Sequence, residues 1–392
     1  MQVFHTESKI VITCNKRLSP YLQQEVEELG FTPTRVFQTG VELQGTVNDT
    51  IALNLNLRCG SQVLYLLKSF HAATPKELYE QLVEIEWENL IDFTGYFSVT
   101  SNVNNEYIQT PLFANVKVKD AIADRIKGRK GLRPNSGPEL NKAVLHLYWQ
   151  DDKADIFIDT SGETLAKHSY RKIPGKAPML EALATSTIMA TNWDRNSTFI
   201  NPMCGSGTLA IEAALLATNK RPGLFRMNYA FMHIMGYDET IFFAERRKLK
   251  DKAKKETGFK IIATDISDDA VNIARKNANT AGVEHLIDFA VCDFGETEVP
   301  EQPGVVMFNP EYGERLGVHS KLELTYKRVG DFLKQQCKGY RGYVFTGNPD
   351  LAKKIGLRPA RRIEFYNGKL DCRLFEYELY DGSKREPKKE QE

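Results

Sequence analysis

Four apolar runs in the second half of the chain each end in residues that could bind a ligand or act on one. The first run ends at Asn201 and Pro202 before a glycine-containing turn, the second at Asp265, the third at Asp293 and the fourth at Asn309. If the runs are parallel strands of one sheet, their carboxyl ends line a single crevice. A glycine turn, a carboxylate for a ribose, a carboxylate for a base and a polar loop are together the layout of a nucleoside-binding crevice with a reacting group beside it.

The glycine-containing turn lies in "NPMCGSGTLAIEAALLA", where a strand is followed by small residues and then by a helix from about Thr208. Backbone N–H groups and glycines of such a turn face whatever lies on the strand. The pyrophosphate of a dinucleotide is one ligand for it, but Ala210 replaces the third glycine of G-x-G-x-x-G. Asp265 also lies 58 residues beyond Gly207, whereas the dinucleotide motif places its acid about 20 residues on. The spacing disfavours NAD, and a purely structural turn is the alternative.

Two aspartates are predicted to hold the nucleoside. Asp265, in "ATDIS", is suited to accept hydrogen bonds from both hydroxyls of a ribose. Asp293, in "VCDF", can meet the exocyclic amine of an adenine while Phe294 lies on its ring. Either aspartate alone is weak evidence, because aspartate at a strand end is more often a cap or turn residue. The ordered set on successive strand ends is what favours a binding site.

The elements that would position these residues alternate between strand and helix from about residue 165 onward. The strand candidates are "TFINPM", "KIIATDIS", "IDFAVCDF", "GVVMFNP" and "GYVFTGN", with helical stretches "GTLAIEAALLATN", "SDDAVNIARKNANTAG" and "ELTYKRVGDFLKQQC" between them. This order predicts an α/β fold with a doubly wound, mostly parallel, Rossmann-like sheet. A charged helical stretch, "TIFFAERRKLKDKAKKETG", is inserted before the second strand.

The front of the chain is predicted to be α+β. Residues 1–60 contain strand-like "KIVITC", a helix with Ser19 as its cap and Gly30 at its end, and "TRVFQTGVELQG". Helical "DTIALNLNLRCGSQVLYLLKSF" follows, then a helix that starts with a Thr74 cap, the helix "VKVKDAIADRIKGRKG" and the strands "YFSVTSNV", "KAVLHLYWQ" and "KADIFIDTS". The charged tail 382–392 has nothing to bury, so we expect it to be disordered.

Composition excludes several classes of protein. The 392 residues are 42% hydrophobic and 26% charged, which is typical of a globular chain of two or three domains. No run of about 18 apolar residues appears and the first residues do not resemble a secretion leader, so we expect a cytoplasmic protein without membrane contact. The six cysteines lack metal-ligand or disulfide spacing, so we expect reduced thiols and no metal site.

The ordered motifs "NPMCGSGTLAIEAA", "ATDIS", "VCDF" and "NPEYGERLG" resemble those of class I S-adenosylmethionine-dependent methyltransferases that modify exocyclic amines. The chain is most similar to the bacterial THUMP-domain RNA methyltransferases related to the guanine-N2 enzyme of 23S rRNA, and the similarity covers nearly its whole length. It implies a ferredoxin-like domain at 1–60, a THUMP RNA-binding domain at 61–164 and a methyltransferase domain at 165–381. It also implies S-adenosylmethionine as cofactor, bound by residues of the strand ends: Asn201, Met203, Cys204, Gly205, Ser206, Gly207, Asp265, Ile266, Asp293 and Phe294.

The chemistry of base methylation gives the fourth strand end its predicted role. An aromatic amine is a poor nucleophile, so it must be held in line with the sulfonium methyl group while acceptors draw on its hydrogens. Asn309 can supply a side-chain oxygen, Pro310 a carbonyl oxygen, and Tyr312 a ring that stacks on the extruded base. The sulfonium is itself the electrophile, so no metal is required.

The sequence departs from the family pattern at two positions. Asn201 stands where many relatives have aspartate, which removes a negative charge near the methionine amino group of the cofactor. Glu311 stands where the second proline of the usual N-P-P-Y would be. Because Asn309, Pro310 and Tyr312 are retained, we expect activity to survive, with Glu311 either turned to solvent or contacting the base edge.

The segment from Lys117 to Arg133 is the candidate RNA-binding surface. It carries seven basic residues against two acidic ones, a net charge of +5 in a chain of net charge +1. The basic residues are Lys117, Lys119, Arg125, Lys127, Arg129, Lys130 and Arg133. A solvated helix face would explain such a run on composition alone. Its position in a THUMP-like domain favours phosphate contacts to structured RNA.

Three functions stay open at this point. The preferred one is guanine-N2 methylation of 23S rRNA, and tRNA guanine, DNA adenine or a protein glutamine are other amine targets. A non-catalytic RNA-binding or ribosome-assembly factor is the third, motivated by Asn201 and Glu311. We expect a single methyltransferase domain, because relatives with a second one have longer chains. The oligomeric state is left open, with a monomer preferred.

Overall fold

The computed structural model describes residues 3–108, 110–175, 178–312 and 319–380. The chain forms two compact units. One comprises Met1–His168 together with Arg221–Lys252, and the other comprises Ser169–Lys220 and the chain from Ala253 onward. The predicted tail 382–392 and residues 313–317 of the "NPEYGERLG" motif lie outside the described residues. The domain boundaries near residues 60 and 164 stay a prediction.

The strands and helices follow in chain order. The strands are β1 (Ser8–Thr13), β2 (Arg35–Phe37), β3 (Gly40–Gly45), β4 (Gln62–His71), β5 (Tyr96–Asn104), β6 (Asn135–Ser136), β7 (Ala143–Gln150), β8 (Lys153–Asp159), β9 (Phe199–Pro202), β10 (Ile261–Asp265), β11 (Ile287–Val291), β12 (Val305–Phe308), β13 (Arg341–Thr346), β14 (Arg361–Asn367) and β15 (Leu370–Glu378). The α-helices are α1 (Ser19–Glu28), α2 (Val47–Asn56), α3 (Pro75–Val83), α4 (Pro111–Lys130), α5 (Glu181–Met189), α6 (Thr208–Ala217), α7 (Glu239–Lys252), α8 (Asp268–Ala281), α9 (His319–Gln335) and α10 (Pro349–Lys354).

The first unit is built on one sheet with the strand order β2-β3-β1-β4-β8-β7-β5-β6. Strand β5 pairs in parallel with β6 and β7, and the other pairs are antiparallel. Strand β4 lies between β1 and β8. It therefore joins, in one sheet, the regions 1–60 and 61–164 that were predicted to be separate domains. The helix predicted through residues 49–70 is therefore wrong in its second half. The apolar run "QVLYLL" pairs with a strand on each side. The periodicity of a short apolar segment does not reveal such partners.

Local helix signals are confirmed at one position and wrong at another. Thr74 caps α3 by accepting a hydrogen bond from the Glu77 N–H, with Pro75 at the first position, as predicted. Ser19 is already inside α1, and the N-cap position is occupied by Leu18, whose side chain makes no cap hydrogen bond. The cap prediction for Ser19 is thus off by one residue, within the usual uncertainty of a helix end.

The inserted stretch 221–252 belongs to the first unit. Gly223 lies so close to the backbone of Leu55 that any side chain at this position would collide with it. Arg246 on α7 donates hydrogen bonds to the carbonyl oxygens of Gly223 and Leu224 at 2.8 and 3.1 Å. The insertion is therefore packed into this unit through backbone contacts that no hydrophobic pattern predicts.

The second unit has the strand order β11-β10-β9-β12-β13-β15-β14. Strands β9 to β13 run parallel, and β15 is antiparallel to both of its neighbours. This confirms the predicted doubly wound, mostly parallel sheet. It also adds the hairpin β14–β15, which the sequence analysis missed. The carboxyl ends of β9, β10, β11 and β12 lie at the same edge of the sheet, as a parallel arrangement requires.

The core beneath this edge fixes the strand ends in place. Phe308, at the end of β12, is fully buried and contacts Phe294 and Phe332 edge to face at centroid distances of 5.8 and 5.9 Å. Such pairs add to the stability that burial of the rings itself provides. The apolar run of β12 is thus held rigidly up to the residue before Asn309.

Candidate active site

The turn after β9 has the backbone conformation that its glycines allow. Met203, Gly205 and Gly207 all have positive φ, of 57°, 55° and 82°. Gly207 directly precedes α6, and a Cβ at this position would lie 2.8 Å from the Cβ of Ala274 on α8. Only glycine therefore lets α6 and α8 approach each other here. A Cβ at Gly205 would meet no described atom within 4 Å, which means that this part of the turn faces open space. A ligand can therefore approach the backbone at Gly205.

Asp265 links the end of β10 to this turn. Its Oδ2 accepts a hydrogen bond from the Gly205 N–H at 2.9 Å, and its Oδ1 accepts one from the Ser267 N–H at 3.0 Å. Each carboxylate oxygen keeps a second lone pair, so the predicted contacts to two ribose hydroxyls remain available. The next residue, Ile266, is 74% exposed, an unusual position for an isoleucine beside a buried strand.

Asp293 is held by a positive charge. Its Oδ1 accepts hydrogen bonds from the Gly295 N–H at 2.9 Å and from Arg328 at 2.6 Å. Partial burial raises the pKa of this carboxyl, but the Arg328 and Gly295 hydrogen bonds and the arginine charge outweigh burial and leave its pKa below the ordinary value. Asp293 is thus an ionised acceptor at the end of β11.

Phe294 lies in the core rather than in the open. The residue is 6% exposed, its ring packs on Phe308 and Phe332, and the Arg328 guanidinium lies 4.8 Å from the ring centroid. Its predicted stacking on an adenine stays a prediction, and this packing does not favour it. Ile266 presents far more apolar surface.

Asn201 and Asn309 each carry a buried amide oxygen. Asn201 is 1% exposed, and its Nδ2 donates to the Met307 carbonyl oxygen at 2.9 Å, which ties β9 to β12. Within the described residues the Oδ1 atoms of Asn201 and Asn309 make no hydrogen bond. A buried acceptor without a donor costs about 1–3 kcal/mol unless a ligand supplies one. Both oxygens are therefore suited to bind N–H groups of ligands.

Burial and a hydrogen bond to the backbone hold the rest of the predicted catalytic loop in place. Pro310 is buried and Glu311 is exposed. The buried Tyr326 hydroxyl donates to the Glu311 carbonyl oxygen at 3.3 Å and is 2.8 Å from the Thr346 hydroxyl. Burial raises the pKa of the Tyr312 phenol to about 12, so this group is a neutral hydroxyl at physiological pH.

Asn277 is a positioning residue that the sequence analysis missed. It is 1% exposed, and its Oδ1 accepts from the backbone N–H groups of Lys172 and Ile173 at 3.2 and 3.3 Å. Its Nδ2 donates to the carbonyl oxygens of Ile173 and Ser206 at 3.0 and 3.3 Å. One buried amide therefore ties the segment before α5 to the glycine turn. An asparagine between the buried positions Ala274 and Ala278 of α8 was the available signal.

The predicted RNA-binding residues on and after α4 are not equivalent. Arg125 forms a close ion pair with Glu88, 3.0 Å between Nη2 and Oε1, and both side chains are largely buried. Arg133 lies 3.2 Å from Asp120 and 3.8 Å from Asp124. The expectation that Arg125 contacts phosphate is not supported, because its guanidinium is already paired with Glu88 within the first unit.

The remaining basic residues point outward or are only partly covered. Arg129 is 62% exposed and 3.9 Å from Glu88, and Lys117 lies over the Phe113 ring at 5.6 Å. Lys119, Lys127 and Lys130 make no ion pair within the part of the chain that the structure describes. These lysines are the free cations of the predicted RNA-binding surface.

Among the residues that the structure describes, no group of three or more histidine, cysteine, aspartate or glutamate side chains could hold a metal ion. Among the same residues, no helix is both long enough and apolar enough to span a bilayer.

Comparison with known families gives three successive matches. A model of the RMKL-like methyltransferase domain matches residues 168–376, a model of the RlmL ferredoxin-like domain matches 9–64, and the THUMP model matches 72–159. The matches agree in kind and order with the three domains inferred above.

Curated relatives carry the name ribosomal RNA large subunit methyltransferase K/L. The protein from Syntrophotalea carbinolica is 32% identical over 383 residues, which cover 95% of this chain and 53% of the relative. The protein from Methylococcus capsulatus is 33% identical over 377 residues, which cover 94% and 50%. The chain thus spans about half the length of these relatives.

Solved structures match over nearly the full length. SMU.472, described as a methyltransferase in complex with SAH, has a TM-score of 0.86 at 26% identity and covers 96% of this chain and 99% of its own. A protein from Listeria monocytogenes, described as an N6-adenine-specific DNA methylase, has a TM-score of 0.85 at 28% identity and covers 95% and 97%. The two share a fold with this chain, and of the two only the second description names a target.

Proposed function

The chain belongs to the RMKL-like methyltransferase family, and from this premise we propose that it transfers a methyl group from S-adenosylmethionine to the exocyclic N2 amine of a guanine in 23S rRNA. The single observation that carries the proposal is the buried Oδ1 of Asn309 directly after β12, for which the described residues supply no hydrogen-bond donor. This acceptor lies at the point where the family places its target amine. The names of the curated relatives support the RNA of the large ribosomal subunit as the substrate.

The residues at the sheet edge fit the proposed cofactor. The open face at Gly205 admits a ligand against the turn, the free lone pairs of Asp265 suit ribose hydroxyls, and exposed Ile266 suits the adenine face. The unpartnered Oδ1 of Asn201 can accept from an ammonium group. An amide oxygen performs this role without the negative charge of aspartate, so we expect cofactor binding to be retained but weakened.

When bound, S-adenosylmethionine supplies an electrophilic methyl group, and the residues of this chain hold the amine that attacks it. Asn309 Oδ1 and the Pro310 carbonyl oxygen accept the two N–H groups, which orients the nitrogen lone pair. The Tyr312 ring stacks on the base. The sulfur–methyl bond would break as the nitrogen–methyl bond forms, and the amine, cationic at that point, would release its proton to water, so neither a strong general base nor a metal is required.

The first unit is proposed to hold the RNA. Lys119, Lys127 and Lys130 are free to contact phosphates, and the THUMP match covers this part of the chain. Phosphate contacts supply affinity rather than sequence specificity. The choice of nucleotide is therefore assigned to the site at the sheet edge. We propose that the protein acts in the cytoplasm as a monomer.

The test is methyl transfer to separated RNA fractions. The purified protein is incubated with labelled S-adenosylmethionine and large rRNA, small rRNA or tRNA from cells that lack it, and the RNA is digested to nucleosides. Label in N2-methylguanosine from the large rRNA is the expected result, with Asn309→Ala as the inactive control. Label from tRNA would reassign the substrate. Cofactor binding without transfer to naked or assembling RNA would favour a non-catalytic assembly factor.

A further inference from the structure

The hairpin β14–β15 reaches the catalytic loop through its tip. Asn367 is the last residue of β14, and its Nδ2 donates a hydrogen bond to the Tyr312 hydroxyl at 2.9 Å. At the other side of the tip, Leu370 is the first residue of β15 and is 40% exposed. The two strands that the sequence analysis missed thus end against a residue that it placed in the active site.

The surroundings of Tyr312 leave its ring little freedom. A Cβ at Gly347 would lie 2.6 Å from the Leu370 Cδ2 and 3.2 Å from the Tyr312 Cδ2, so glycine is needed for this close approach. The Phe345 ring lies 6.4 Å from the Tyr312 ring in an edge-on arrangement. These apolar contacts support the body of the ring.

The far end of the ring is held by Asn367. A tyrosine ring that is packed at its edge can still pivot, and a hydrogen bond at the hydroxyl removes that freedom because it lies farthest from the backbone. The Tyr326 hydroxyl separately fixes the loop backbone through the Glu311 carbonyl oxygen. Backbone and ring are therefore held by two different hydrogen bonds.

We infer that Asn367 is a positioning residue for methyl transfer, and that it acts by fixing the plane of the Tyr312 ring on which the target base stacks. The inference rests on the proposed function, in which Tyr312 contacts the base. Small errors in the placement of reacting groups are costly, since a misplacement of about 1 Å can slow an enzyme about a hundredfold. A hydrogen bond at the edge of the site can therefore influence the rate without contacting substrate.

A double-mutant cycle tests this inference. Asn367→Ala and Tyr312→Phe each remove one partner, and each should lower kcat on the RNA about tenfold. The double variant should be no slower than the slower single variant, because the contact that Asn367→Ala breaks is already lost in Tyr312→Phe, which removes the hydroxyl. The Kd for SAH, measured by calorimetry, should stay within about twofold of wild type, since neither residue belongs to the cofactor site.

Controls separate positioning from folding. Asn272→Ala removes an equivalent hydrogen bond in the same unit, from Asn272 Nδ2 to Asp268 at 2.9 Å, and should methylate at the wild-type rate. Gly347→Ala leaves Asn367 intact but pushes against Leu370 and Tyr312, so it should slow transfer at unchanged SAH affinity. If Asn367→Ala lowers both the melting temperature and the SAH affinity, Asn367 has only a structural role and the inference is wrong.

The outcome also separates this inference from the proposed function. An active wild type with an equally active Asn367→Ala variant overturns the positioning role alone. Multiplicative losses in the double variant would show that the two side chains act independently, and would overturn it as well. A wild type that methylates no RNA, naked or assembling, would overturn both proposals.

Discussion

The strand ends of the second unit and the basic segment of the first unit were both predicted to be functional, yet the structure treats them differently. At the sheet edge, Asp265 contacts the glycine turn, and Asn201 and Asn309 lie at the ends of adjacent strands with amide oxygens that no described residue partners. On and after α4, by contrast, Arg125 forms an ion pair with Glu88, and Arg133 forms one with Asp120.

The difference lies in how each pattern relates to the fold. Parallel strands bring their carboxyl ends to one edge whatever the distance between them in sequence, so a motif at a strand end predicts a meeting place. A run of charges on a helix predicts only a face, because acidic partners elsewhere decide which charges remain free.

Asn309→Ala should nearly abolish methyl transfer. It removes the acceptor that holds the amine, and loss of one such oriented group typically lowers kcat about a hundredfold to a thousandfold. Single-turnover kinetics with the RNA, together with SAH titration, would check this. SAH affinity should stay near wild type, and a fully active variant would show that the assignment of Asn309 is wrong.

Asp265→Ala should act on binding rather than on chemistry. It removes the predicted ribose acceptor and the hydrogen bond to the Gly205 N–H, so the Kd for SAH should rise about tenfold to a hundredfold. Calorimetry measures the Kd, and saturating cofactor should restore most of kcat. A normal Kd with a slow chemical step would reverse the roles given to Asp265 and Asn309.

Arg125 and Lys127 should separate stability from RNA binding. Arg125→Ala leaves Glu88 largely buried with only the more distant Arg129 beside it, which should cost about 3 kcal/mol in the free energy of unfolding. Lys127→Ala should leave stability unchanged and lower the slope of log Kd against log salt by about 1. Arg129→Ala, at an exposed position 3.9 Å from Glu88, is the matched control for the ion pair. Equal effects of Arg125→Ala and Lys127→Ala on the salt slope would contradict the assignment.

Glu311→Ala should have the smallest effect. The side chain is exposed and the loop is held through its backbone carbonyl oxygen, so turnover should stay within about twofold of wild type. Initial rates at saturating RNA and cofactor would show it. A large loss would give Glu311 a contact with the base edge instead.

The sequence was informative wherever a local pattern had one structural outcome. The strands ending at Asp265 and Asn309 and the Thr74 cap were predicted from periodicity and residue type, and the structure confirms all three. Strand β4 was misread as helix because a short apolar run satisfies either structure until its neighbours are known.

The residues that support the site could not be found in this way. Asn277 and Asn367 act through contacts with segments 71 and 55 residues away in sequence. Asn277 could have been suspected from its place on the apolar face of α8, but its partners could not, and nothing in the local sequence marks Asn367. Their roles depend on which backbone groups and hydroxyls the fold brings within hydrogen-bond distance.

Residue type and short spacing were enough to predict the order of strands and helices from β9 to β13, the chemistry available at each strand end and the net charge of the segment from Lys117 to Arg133. The tertiary structure was needed to decide which acceptors have no partner among the described residues, which arginines are already paired and which side chains hold the catalytic loop. Hydrogen bonds and ion pairs form between groups that are close in space, and closeness across distant segments is set by packing of the whole sheet and its helices.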